Sequence, residues 1–101
     1  MNPKAKIERY LISDLKLTGG LMLDVFDKIT KYEDIMTEFA LWLDQRNYNF
    51  EQPISVENYT AKDIYDINPE LDGIGAYNML ISLRDNPENA KKLIASGLKT
   101  E

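Results

Sequence analysis

The sequence predicts an all-α fold, a compact bundle of five or six helices with an ordered apolar arm between its N-terminal and C-terminal helical parts. Three observations carry that expectation. Apolar residues recur at helical spacing along most of the chain, and helix-start signals stand at Asn2-Pro3, Thr30, Thr60 and Asn86-Pro87. The one stretch that breaks the period, Asn47 to Tyr59, is too apolar for a solvated linker. At 101 residues, 44% of them hydrophobic and 29% charged, the chain can close one core but not two, so residues 1–101 read as a single domain.

The first helix is expected to begin at Asn2-Pro3, an N-cap followed by proline where a missing N–H costs nothing. Ile7, Leu11 and Leu15 share its apolar face with Tyr10, and Thr18-Gly19-Gly20 is expected to end or kink it. Leu21 to Ile29 resumes the pattern with Met22, Val25, Phe26 and Ile29 inward. Thr30 to Glu33 matches a capping box, which favours a new helix from about Lys31 to Arg46, although continuation through Thr30 stays open. That helix would bury Tyr32, Ile35, Met36, Phe39, Ala40 and Leu43, with Trp42 beside the stripe and partly exposed. Leu15, Met22, Ile29, Met36 and Leu43 also recur every seven residues, as in a coiled coil; successive helices packed on one core produce the same rows, and the glycine pair favours the latter.

Tyr48, Phe50, Ile54, Val56 and Tyr59 are expected to hold the Asn47–Tyr59 arm over the core, with a short extended stretch at Ile54 to Val56. Thr60 to Asp63 is a second capping signal, followed by a short helix with Ile64, Tyr65 and Ile67 that Asn68-Pro69 stops. A further helix from about Ile74 to Asp85 would bury Ile74, Tyr77, Leu80, Ile81 and Leu83. The last carries Ala90, Leu93 and Ile94 before Gly97 supplies a left-handed stop, onto which Leu98 would fold back. The expected core is Leu11, Leu15, Met22, Phe26, Ile29, Met36, Phe39, Leu43, Leu80 and Leu83.

The absences narrow the chemistry. Without histidine or cysteine there is no Ser-His-Asp or Cys-His arrangement, no thiolate zinc site and no disulfide, and no phosphate-cradling glycine motif occurs. Neither a metal nor a cofactor is expected, and no small-molecule ligand is evident. Carboxylate pairs at Asp24 and Asp27, Glu33 and Asp34, Asp63 and Asp66, and Glu70 and Asp72 lack metal-loop spacing and read as solvated faces, with Asp63 as a cap. A net charge of −5 makes nucleic acid an improbable partner, and neither half of the chain is basic. No segment has the length and apolarity of a membrane span or the apolar core of an export signal, and the cysteine-free composition suits the cytoplasm.

Tyr59 to Ile67 followed by Leu71 to Arg84 looks like a helix-turn-helix, in which a short capped helix, a turn and a longer helix follow one another. It departs from the DNA-binding pattern at Tyr65, at the proline-containing turn, and in having only Arg84 as a cation on the second helix. The stretch Tyr59 to Gly97, with T-A-K-D-I, G-A-Y-N-M-L-I-S-L-R and A-K-K-L-I-A-S-G, also resembles small uncharacterised all-helical bacterial proteins of unknown function. That resemblance implies a bacterial cytoplasmic setting and no mechanism.

The expected role is therefore that of a non-enzymatic helical adaptor or regulatory protein acting through a protein partner or as a homo-oligomer. The alternatives are a helix-turn-helix DNA-binding regulator and an immunity-type or antitoxin-type helical protein. Trp42, Tyr48, Phe50, Tyr59 and Tyr65 are the candidate partner-binding residues, because aromatic side chains anchor interfaces at low entropic cost. The competing account of the same residues is that they seal the arm onto the core.

Overall fold

A computed structural model describes residues 2–97, and among them the chain is six α-helices and one small hairpin. Helix α1 spans Pro3–Arg9, with the Asn2 side chain accepting from the Ala5 N–H at 2.7 Å. It continues into a π-helical turn, Tyr10–Asp14. A π turn closes each hydrogen bond one residue later than an α turn, so position i+4 falls off the face it would otherwise share. Tyr10 and Leu11 are buried, whereas Leu15, expected in the core, is 36% exposed.

The stop also differs from expectation. It falls at Leu15 and Lys16, where Lys16 takes a left-handed φ of 60° and the Leu17 N–H returns to the Leu11 carbonyl. Gly19 and Gly20 instead open helix α2, Gly19–Ile29, with Gly19 at φ 58°. Only Ile29 of α2 is fully buried; Met22 and Phe26, also expected in the core, and inward-facing Val25 pack on it half-exposed.

Helix α3 spans Glu33–Gln45, and the capping box expected from Thr30 is absent. The Thr30 hydroxyl donates to the Phe26 carbonyl and closes the end of α2, while Asp34 accepts from the Ile35 N–H at 2.8 Å. The rows at seven-residue spacing belong to separate helices, and Leu43 is only half-buried.

The arm ends in a two-stranded antiparallel hairpin, β1 (Ser55–Val56) and β2 (Tyr59–Thr60). Glu57 and Asn58 both carry positive φ, the mirror-image turn that matches strand twist. Thr60 and Asp63 form a complete capping box at the start of α4, Ala61–Ile67. A 3-10 turn at Pro69–Leu71 leads into α5, Asp72–Asp85, which begins two residues before the expected Ile74. Helix α6 is Pro87–Ala95, and Gly97 supplies the left-handed stop at φ 76°. The Leu98 contact lies outside the described residues.

Helix α5 organises the molecule. Gly73, Ala76, Tyr77, Leu80, Ile81 and Leu83 are buried around most of its circumference, and it packs against α2, α3, α4 and α6. Helix α1 lies on the far side of α3, so Ile7, Leu11, Ile35, Phe39 and Tyr77 join one continuous core.

Candidate functional site

Of the five aromatics picked from sequence, three close the arm onto the core. Trp42 is 3% exposed, which corrects the expected partial exposure. Its ring lies stacked on Phe39 with centroids 6.1 Å apart, tilted against Tyr48 at 6.0 Å, and under the Arg46 guanidinium at 5.2 Å. A Cβ placed on Gly73 would fall 2.5 Å from the ring, so the bare backbone of α5 is what lets Trp42 sit flush. Arg46 also covers Tyr10 and pairs with Asp14 at 3.4 Å. Tyr48 bridges Trp42, Tyr65 at 5.2 Å and Tyr77 at 6.2 Å. Burial, reinforced by the Asp72 carboxylate, pushes the Tyr48 hydroxyl well above the usual tyrosine range. Tyr59 is half-buried on β2; Trp42, Tyr48 and Tyr65 border a surface depression of about 260 Å³, and Phe50 lines a larger groove.

That groove is a shallow, open depression between α3 and the arm, about 670 Å³ in volume. Leu41, Phe50 and Ile54 supply its apolar wall, and Leu41 is 49% exposed there. Glu33, Asp34, Glu38 and Glu51 line it with carboxylates, and no lysine or arginine does. Arg84 engages Asp34 through two hydrogen bonds of 2.9 and 3.1 Å and holds that carboxyl below the ordinary aspartate range.

Glu38 is the residue that sequence reasoning passed over. It stands on the buried face of α3, three residues after Ile35 and four before Trp42, and is only 6% exposed. Its two oxygens accept from the Ile54 N–H at 2.8 Å and the Tyr77 hydroxyl at 2.7 Å. It therefore pins the arm to α3 and α5 together. Burial, then the hydrogen bond to Glu38, pushes the Tyr77 hydroxyl far above the usual range. The legible signal was a carboxylate in phase with an apolar stripe, since buried acids need partners.

Elsewhere, Ile12, Leu21 and Leu23 are 46%, 60% and 55% exposed on the π turn and α2. Among the described residues, no group of acidic side chains has a metal-holding arrangement, and no helix is long and apolar enough to cross a membrane. Helices α4 and α5 do pack as a pair, but the Arg84 guanidinium is committed to Asp34 and lies 4.8 Å over the Tyr32 ring. No family model matches this chain, and no curated protein or solved structure does so significantly.

Proposed function

We propose that the chain is a non-catalytic helical protein that acts by binding another protein, and that the groove between α3 and the arm is the surface it uses. The observation that carries this is a groove of about 670 Å³ in which exposed Leu41 and half-buried Phe50 and Ile54 form one apolar wall. Large apolar side chains left at a concave surface favour an interface. The arm is pinned by Glu38 and by the aromatic cluster, so the groove is preformed and binding need not order it first. A cytoplasmic setting belongs to the same reading and is supported by the cysteine-free composition. DNA binding through α4 and α5 has less support, because the cation it would rely on is already paired.

The test is a photo-crosslinking amino acid in place of Leu41, compared in host cells with the same residue in place of Glu88 on exposed α6. A protein adduct dependent on position 41 is expected. Adducts to nucleic acid alone, or equal adducts at both positions, would overturn the proposal.

A second reading is self-association through α2, favoured by exposed Leu21 and Leu23. Sedimentation across a wide concentration range should then show a dimer that Leu21→Lys abolishes.

A further inference from the structure

We propose that the occupant of the α3–arm groove is a cationic amphipathic segment of a partner protein, its Lys or Arg heads meeting Glu33, Glu51 and Glu38 and its apolar side chains lying on Leu41, Phe50 and Ile54. This rests on the protein-binding reading and adds the chemistry of the partner.

Charge complementarity selects that occupant. Of the four carboxylates lining the groove, Asp34 already has Arg84, while Glu33 and Glu51 form no ion pair among the described residues. Glu38 is more demanding. It is held by two neutral donors and by no cation among the described residues. A neutral donor satisfies a lone pair but leaves the charge in place, and a carboxylate withdrawn from water gains most from a nearby cation. A cationic head entering the groove would approach that charge where solvent screens it least.

The apolar wall sets the rest of the occupant. Leu41 and Phe50 offer hydrocarbon surface that a free metal ion or a hydrophilic polyamine would leave uncovered, whereas an amphipathic segment covers it and supplies the cation together. Nucleic acid meets four carboxylates and no cation. A second copy of this chain brings its own net charge of −5.

The probe is a random twelve-residue peptide display library selected on the immobilised full chain, with enriched peptides synthesised and titrated against the isotopically labelled protein by NMR. Enrichment of Lys or Arg interleaved with Leu, Ile or Phe is expected, with shifts concentrated at Leu41, Phe50 and Ile54. Glu51→Lys, an exposed change on the arm, should weaken binding by about fivefold or more, because it replaces one exposed charge pair with a repulsion. Raising salt from about 0.05 to about 0.5 M should weaken it further, because the rim charges are screened. Peptides that map to the groove without cationic enrichment, or that keep their affinity in Glu51→Lys and in high salt, overturn the charge proposal and leave the protein-binding reading standing. Selection that returns no peptide mapping to the groove overturns both.

Discussion

Replacing Gly73 by Ala sets two well-calibrated effects against each other. Gly73 is the second residue of α5, in its first turn, where Ala is better than Gly by at most the ~1 kcal/mol of a helix interior. The new Cβ, however, would stand 2.5 Å from Trp42 Cε3 and 2.6 Å from Cδ2 and Cζ3. Ordinary carbon contact is about 3.5–4.0 Å, so the indole must retreat by roughly 1 Å. It has little room: Phe39 stacks on it, Tyr48 leans against it, and Arg46 lies over it. Overpacking of this kind costs about 1–3 kcal/mol, so packing matches or outweighs propensity and the net loss should lie between about 0 and 3 kcal/mol, centred near about 1.5 kcal/mol. With a urea slope of about 1–2 kcal/mol/M for a domain of this size, the denaturation midpoint should fall by about 1 M. In a Trp42→Ala background the obstacle is gone, and Gly73→Ala should become neutral or stabilising by up to about 1 kcal/mol. A Gly73→Ala protein more stable than wild type, or an equal cost in both backgrounds, would refute the packing of Trp42 on this backbone.

Three further outcomes are expected. Tyr77→Phe removes one of the two donors to buried Glu38 and should cost about 1.5–3 kcal/mol, the range for hydrogen bonds to charged groups; a change below about 0.3 kcal/mol in urea titration would mean that the pair is not formed. Burial raises the Tyr48 and Tyr77 hydroxyls above their unfolded values, so their contribution is complete below about pH 10 and is lost as pH rises further; absorbance at 295 nm should show both ionising only together with the loss of helical circular dichroism, and ionisation of all tyrosines in the folded state would contradict this. Lys16→Gly should stabilise by about 0.5–1 kcal/mol, because Lys16 is an exposed residue at φ 60° without a hydrogen bond or ion pair of its own among the described residues; a lower thermal midpoint would count against the left-handed stop.

Local signals were legible wherever a short stretch of chain decides its own conformation. Asn2-Pro3, the Thr60 and Asp63 box, the apolar face of α3 and the Gly97 stop could all be read from neighbours within one or two turns, and each is present. The all-α class and the arm over the core followed from period and its interruption. What failed had the same local form but a rival partner. Thr30 satisfied the carbonyl behind it instead of the amide ahead, Lys16 ended a helix that Gly19 was expected to end, and one π turn moved Leu15 out of the core. Trp42 was judged by its position on a single helix, whereas its burial depends on Gly73 of α5, thirty-one residues away, having no side chain. Glu38 became the centre of the candidate site because the Ile54 amide and the Tyr77 hydroxyl converge on it from the arm and from α5. Periodicity along one helix shows which way a residue faces, but the donors and bare backbone that meet it come from elements far away in the chain, and only their packing brings them within hydrogen-bond reach.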